Sequence, residues 1–348
     1  MAGMPTKKIE NSDGRLRHTA RSVTLESVAR LAGVAPTTVS RALNHPEKVA
    51  AKTLSRIQDA IASTGYVPNL LAGGLASSRS RLIAAIVPSI ANLVYAETIQ
   101  SFTRRVRESG YQVFLGETGY DPDAEEELVV TVLSRRPDAI FLTGIHHSAT
   151  CRQRLLAAGI PIVETWDITP TPLDIAVGFS HSRVGHSVAA YLHDRGHRTF
   201  GVASADDPRA RLRNRAFTAE LAERGIDKVE TSYLSPVSSL ELGRRALADL
   251  LAATLTPIAV FCSSDTVAQG VLVEAQARGL ASPEDVAIVG FGDQNFAAFT
   301  YPALTTVKID RVTIGERSAE ALLARLDDEP VEENVVDVGF EIIARQTA

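Results

Sequence analysis

Val23-Thr24-Leu25-Glu26-Ser27-Val28-Ala29-Arg30-Leu31-Ala32-Gly33-Val34-Ala35-Pro36-Thr37-Thr38-Val39-Ser40-Arg41-Ala42-Leu43-Asn44 is the stretch on which the reading of the chain turns. Leu25, Val28, Ala29 and Ala32 recur at helical spacing, Gly33 interrupts, and a second helical pattern through Val39, Ala42 and Leu43 begins at Pro36. Two short helices that share one apolar seam across a glycine turn make a helix-turn-helix pattern. Pro36 suits the first position of the second helix, where a missing N–H leaves no bond unmade. The outward face then shows Thr37, Thr38, Ser40, Arg41 and Asn44, side chains able to meet base edges and phosphates. An unrelated amphipathic hairpin would share the periodicity, so the flanking sequence has to discriminate.

Downstream, Leu54, Ile57 and Ile61 predict a third helix from about Ala50 to Thr64, followed by Gly65-Tyr66-Val67-Pro68-Asn69. Ala35 and Ala50 stand where a capping side chain would start the second and third helices, and each loss costs about 1 kcal/mol. Residues 69–78 carry Gly73 and Gly74, each of which penalises a helix by roughly 1 kcal/mol relative to alanine, so the sequence predicts a largely unstructured segment in the free protein. Residues 1–21 mix Lys7, Lys8, Arg15, Arg17 and Arg21 with polar residues and show no apolar period. They read as a disordered basic tail, either touching phosphates or simply solvated.

Charge is divided unevenly along the chain. The whole of the 348 residues has a net charge of −5. Residues 1–80 hold 11 Lys or Arg against 5 Asp or Glu, a net of +6, and the rest hold 25 against 36, a net of −11. A small basic head on an acidic body suits a module that neutralises phosphates only at its contact face. Cys151 and Cys262 are far apart in sequence, which excludes a CxxC motif and predicts buried, unreactive thiols. No apolar run reaches the roughly 18 residues of a membrane span and the polar N-terminus is no secretory signal, so the expectation is a cytoplasmic protein without a membrane partner.

The first stretch resembles the LacI/GalR family of bacterial transcription regulators, whose pattern V-T-L-x-x-V-A-x-x-A-G-V-S-x-x-T-V-S-R-x-x-N is matched at every fixed position except Ala35. The Gly-Tyr-Val-Pro-Asn stretch fits the family's G-Y-x-P-N. The resemblance implies a helix-turn-helix headpiece at 22–68, a hinge at 69–80 and an α/β body at 81–348. It implies a homodimer on double-stranded operator DNA, with Arg41 on a guanine, Thr37 and Thr38 near base edges, and Thr24, Ser40, Asn44, Tyr66 and Asn69 at the DNA. Leu75 matches the hinge leucine that enters the minor groove, where an apolar wedge kinks the duplex. The chain ends at Ala348 without a leucine heptad of the kind that forms tetramers, which leaves a dimer as the expectation.

From Arg81 the pattern changes to apolar strands alternating with amphipathic helices. Candidate strands are 82–87, 112–116, 139–143, 161–165, 176–179, 199–203, 258–262 and 286–291, and helical stretches lie between most of them, at 96–109, 124–135, 184–195, 209–224, 240–253 and 266–278. Repeated units of this kind give parallel sheets covered by helices, with ligands bound outside the carboxyl ends of the strands. The family resemblance implies a periplasmic-binding-protein-like pair of subdomains joined by three crossovers, about 81–177 with 307–325 and about 178–306 with 326–348.

Strand ends nominate the effector site: Ser89, Asn92 and Tyr95 after the first strand, Thr143, His146 and His147 after the third, Trp166 and Asp167 after the fourth, and Ser264 before a helix. Arg213, within Arg211-Leu212-Arg213-Asn214-Arg215, falls where family members place an arginine that grips the effector. No G-x-G-x-x-G follows the first strand and no G-x-x-x-x-G-K-[ST], H-E-x-x-H or G-x-S-x-G occurs, so neither a cofactor nor enzymatic chemistry is indicated. His146-His147 is the nearest thing to a metal pair; no Cys or carboxylate stands beside it in sequence, and two loop histidines near a ligand is the better reading.

One departure bears on the ligand. In the family's G-[YF]-D-[DN] turn the first acidic position is here Gly292, within Gly290-Phe291-Gly292-Asp293. Keeping an arginine while losing a carboxylate favours an anion, because a buried like charge would oppose one. With Leu142-Thr143-Gly144-Ile145-His146-His147-Ser148 and Val177-Gly178-Phe179-Ser180, this turn resembles the gluconate-utilisation branch. The reading is therefore a repressor released by a sugar acid such as gluconate or a phosphorylated relative, with Asp293 also at the site. A repressor answering a neutral sugar or nucleobase, or a sugar-binding receptor with an incidental head, is the alternative.

Overall fold

The computed structural model describes residues 23–67, 79–90, 92–235, 237–254 and 256–348. The chain divides into two units, Met1–Ser78 and Arg79–Ala348. In the first, three helices form where the periodicity predicts them: α1 (Leu25–Ala32), α2 (Pro36–Asn44) and α3 (Ala51–Thr64). Thr24 and Ser27 make a reciprocal capping box at the start of α1, and Gly33 ends it at φ 63°. Neither Ala35 nor Ala50 provides a side-chain cap. Support comes from α3 instead, where Arg56 donates from Nε to the Ala32 carbonyl and from Nη2 to the Gly33 carbonyl, both at 3.1 Å. These are acceptors that a helix end leaves open. Val28, Val39 and Ile57 fill the small core, with Leu25, Leu54, Ile61 and Tyr66 at its margin. The basic tail at 1–21, Asn69, Leu75 and most of the 69–80 hinge lie outside the described residues.

The second unit contains two six-stranded sheets. The first runs Val335–Asp337 (β11), Ile175–Gly178 (β5), Ile162–Thr165 (β4), Ala139–Thr143 (β3), Leu82–Val87 (β1) and Gln112–Glu117 (β2), all parallel. The second runs Glu341–Ile343 (β12), Thr305–Lys308 (β10), Val286–Phe291 (β9), Ile258–Cys262 (β8), Phe200–Ser204 (β6) and Val229–Tyr233 (β7), parallel except for β12. The central strands are almost wholly buried and read as apolar runs, as parallel strands covered on both faces do.

The intervening helices are α4 (Ala96–Glu108), α5 (Pro122–Leu133), α6 (Ala149–Ala158), α7 (His181–Asp194), α8 (Pro208–Glu223), α9 (Leu240–Ala253), α10 (Asp265–Ala277) and α11 (Arg311–Leu326). Helices α7 and α8 pack together, as do α4 and α11. The chain passes between the sheets three times, after Gly178, after Lys308 and after Asp337.

The lobe boundaries differ from those expected. Residues 307–308 stay in the second sheet as the end of β10, and the 326–348 segment is shared between lobes, because β11 pairs with β5 while β12 pairs with β10. Arg325 ties the segment before β11 to the first lobe, donating to Asn334 Oδ1 at 3.1 Å and to Asp174 at 3.2 Å. Both cysteines are buried and unpaired. Among the described residues no helix is long and apolar enough to cross a membrane.

Candidate functional site

On the headpiece, α2 buries Val39 and Ala42 and leaves Thr37, Arg41 and Asn44 exposed, with Thr38 and Ser40 half-buried. Arg41 makes no hydrogen bond or ion pair among the described residues, so its guanidinium is available to an external acceptor. Asn44 donates from Nδ2 to the Ser40 carbonyl at 3.0 Å, which orders its exposed side chain. The Thr24 hydroxyl caps α1 by accepting the Ser27 N–H at 3.3 Å. Tyr66 packs on the headpiece core.

In the body, residues following strands of both sheets line two adjoining openings that share Arg209. Thr143 and His146 line one together with Thr118, Tyr120, Asp121, Glu125 and Gly144. Asn92, Tyr95, Trp166, Arg213 and Ser264 line the other together with His181, Asp207, Ser263 and Phe291. Asn92 Nδ2 donates to the Tyr120 hydroxyl at 3.2 Å, joining the ends of β1 and β2. Sequence reasoning overlooked Tyr120 and Asp207, although Tyr120 follows a recognised strand and Asp207-Pro208 has the form of a helix start.

Arg213 is 4 % exposed. Its Nη1 donates to His181 Nδ1 at 3.0 Å, its Nη2 donates to the Ser263 carbonyl at 2.9 Å, and its guanidinium carbon stands 3.9 Å from the Phe291 ring centroid. Because Nδ1 accepts, His181 is neutral and protonated on Nε2, which donates to the Trp166 carbonyl at 2.8 Å. Burial, then the field of Arg213, holds the imidazole well below its ordinary value, in agreement. No carboxylate lies within ion-pair distance of Arg213 among the described residues, and burial pushes its pKa down to about 10, leaving it charged at neutral pH. The close approach of α7 that makes this possible depends on Gly185, where a Cβ would stand 2.1 Å from the Arg213 carbonyl oxygen.

Trp166 adopts φ 67° and meets Tyr95 edge to face, with ring centroids 5.0 Å apart. Arg209 extends over the Tyr95 ring and lies 4.0 Å from Asp207, whose carboxylate caps α8. Four buried polar atoms on this lining have no hydrogen-bond partner among the described residues: Thr143 Oγ1, Trp166 Nε1, Arg209 Nη1 and Arg213 Nε. Groups of this kind are rare in folded proteins unless a ligand or water completes them.

Four nominated residues do not line either opening. Ser89 is buried after β1. Asp293 holds φ 47° and its carboxylate pairs with Arg345 at 2.7 Å. The Asp167 carboxylate is buried 4.0 Å from His146 Nε2, and burial pushes its pKa up to about 6. His147 is buried between Glu125, 2.9 Å from its Nδ1, and Glu164, 3.5 Å from its Nε2. Burial pulls this imidazole down, but the contacts with Glu125 and Glu164 outweigh it and raise the pKa to about 9. His146 is half-exposed and held below its ordinary value, first by burial and then by Arg209. The pair of loop histidines is thus split, and the fold brings His147 the carboxylates and the thiol of Cys151 that the local sequence lacks.

At the departure from the family turn, Gly292 has φ 121°, and a Cβ there would stand 3.0 Å from Val94 Cγ2. A carboxylate at this position would be strained, so the turn is built for glycine.

The profile described as "Bacterial regulatory proteins, lacI family" matches residues 24–69, and that of a "Periplasmic binding protein-like domain" matches residues 189–348. The chain is 37% identical over 341 residues to the HTH-type transcriptional regulator GntR of Pseudomonas aeruginosa, covering 97% of this chain and 99% of that one. It is 30% identical to the HTH-type transcriptional regulator IdnR of Escherichia coli, covering 92% and 97%. A crystal structure of a LacI-family transcriptional regulator from Silicibacter pomeroyi superposes with a TM-score of 0.87 at 33% identity, covering 93% and 99%.

Proposed function

The chain belongs to the LacI family and is a DNA-binding transcriptional regulator, and from that premise we propose that it is a homodimeric repressor released from a pseudo-palindromic operator by a sugar acid such as gluconate. Each recognition helix, Pro36–Asn44, enters a major groove, and the two-fold axis of the dimer is mirrored in the half-sites. Arg41 reads a guanine, Thr37 and Thr38 meet nearby base edges, and Thr24, Ser40, Asn44, Tyr66 and Asn69 position the headpiece on the backbone. Leu75 wedges into the minor groove.

The observation that carries the ligand class is the buried Arg213 guanidinium, with an unpartnered Nε and no carboxylate to neutralise it. A buried uncompensated charge is expensive, and a carboxylate that pairs with it offsets that penalty while forming charge-assisted hydrogen bonds. Trp166 Nε1–H and Thr143 Oγ1 then supply partners for hydroxyls, and Asn92, Tyr95, His146 and Ser264 complete the lining. Ser89, His147, Asp167 and Asp293 act behind that lining, through the residues that touch the ligand. Gluconate also agrees with the name GntR of the Pseudomonas aeruginosa relative. Closure of the two lobes on this anion biases a two-state body, and the hinge at 69–80 transmits the change to the headpieces.

Calorimetry tests the ligand class directly. Gluconate is expected to bind, and glucose, which shares its configuration along the carbon chain but has no carboxylate, is expected to bind far more weakly. Tight binding of glucose or a purine with none of gluconate would overturn the sugar-acid reading.

A further inference from the structure

We propose that Glu125, His147 and Cys151 form a binding site for a divalent cation of the zinc class in the wall of the cleft, with Glu164 orienting His147. The three residues come from different elements, Glu125 from the first turn of α5, His147 from the loop after β3 and Cys151 from the first turn of α6. One ligand atom from each lies within 4.8 Å of the other two. In a tetrahedral zinc site, bonds of about 2.0–2.3 Å set ligand atoms roughly 3.3–3.8 Å apart. Small side-chain movements therefore close the set around an ion. A thiolate, an imidazole and a carboxylate are donors that together favour zinc over magnesium or calcium.

The second observation is Glu164. Its side chain is fully buried; Oε2 accepts the Leu173 N–H at 2.6 Å, while Oε1 has no hydrogen-bond donor and stands 3.5 Å from His147 Nε2. A cation held at His147 Nδ1, on the Glu125 side, leaves the proton on Nε2 facing Glu164. A ligating histidine almost always shows this arrangement, with its other ring N–H directed at a carboxylate or carbonyl.

Charge balance points the same way. Glu125 and Glu164 flank one imidazole, and among the described residues the further cation within 4.0 Å of either carboxylate is the half-buried Arg152, 3.9 Å from Glu164 Oε1. With Arg152 offsetting Glu164, Glu125 has among the described residues only His147 within 4.0 Å to balance it, and a divalent ion that replaces the proton on His147 Nδ1 takes over that pairing. A plain buried ion pair also gives no role to Cys151. Glu125 lines the cleft opening beside His146 and Arg209, so the ion and a ligand in that opening would share a wall. The site does not depend on the ligand being a sugar acid.

The test uses the full chain without an affinity tag, stripped with chelator and titrated with zinc against a competing chromophoric chelator. Cobalt loading is read in parallel. One zinc per chain is expected, together with a thiolate-to-cobalt charge-transfer band. Cys151→Ser should abolish the band, and Cys151→Ser and Glu125→Gln should each weaken zinc binding at least about tenfold. Cys151→Ser is nearly isosteric, so a folding failure in a His147 variant would not obstruct the test. No zinc binding above that of the double variant Glu125→Gln/Cys151→Ser would overturn the proposal, as would stoichiometric binding that both substitutions leave unchanged.

Discussion

His181 Nδ1 accepts a hydrogen bond from Arg213 Nη1 at 3.0 Å, and His181 Nε2 donates to the Trp166 carbonyl at 2.8 Å. One neutral imidazole thus holds both the Arg213 guanidinium and the Trp166 main chain, two residues that line the same opening. His181→Phe keeps the ring and removes both bonds. Each buried group left unsatisfied costs about 1–3 kcal/mol. The variant should lose stability of that order in urea denaturation and bind gluconate more weakly by calorimetry. Unchanged gluconate affinity would mean that Arg213 is positioned without His181.

Stability should also carry the mark of Asp167. Burial pushes its carboxyl up to about 6, against the pull of the Ile168 N–H and the fields of Arg209 and Arg213. Unfolded, an aspartate titrates near about 3.9. A folded-state pKa above the unfolded one means that the native state holds the proton more tightly. The contribution is fully favourable below the unfolded value and is lost as pH rises through about 6. Asp265, also pushed up to about 6 by burial, adds a slope of the same sign. Asp167→Asn should therefore gain on the parent chain more at pH 7 than at about pH 4.5 in urea titrations. Equal differences at the two pH values would show that Asp167 titrates alike in both states.

On the headpiece, Arg41→Ala should cost about 1–3 kcal/mol of operator affinity and relax preference at one base pair, as expected for a bidentate contact with guanine. A binding screen over single-base variants of the operator reads this. A uniform loss over all variants, with a shallower salt dependence, would make Arg41 a phosphate contact instead.

The headpiece was legible because its signals are local: apolar spacing, a proline at the start of α2 and a glycine after α1 identify three helices within residues 25–64. Buried strands such as Leu82–Val87, Ile258–Cys262 and Val286–Phe291 were equally plain as apolar runs. Val229–Tyr233 is an edge strand with one buried residue, and β11 and β12 have three residues each, so none carries such a run. Helix α11 buries Gly315, Ser318 and Ala319 beside Ile314 and Leu322, which blurs its apolar stripe.

Strand ends led to most of the cleft lining but not to what holds it. The sequence reading started α7 at Val184, whereas the Ser180 cap starts it at His181 and puts that imidazole at the cleft. The meeting of His181 with Arg213, and of Glu125 with His147, spans 32 and 22 residues. Such pairings follow from how helices pack across the sheets, which no local pattern encodes.

The central claim is that a sugar acid in the cleft controls operator binding, and a gel-shift titration of the full chain on the DNA upstream of its own gene tests it most directly. The chain should bind one two-fold symmetric site as a dimer, and gluconate should release it at concentrations where glucose has no effect. Operator affinity unchanged at gluconate concentrations that saturate the protein by calorimetry, or release by glucose and not by gluconate, would contradict it.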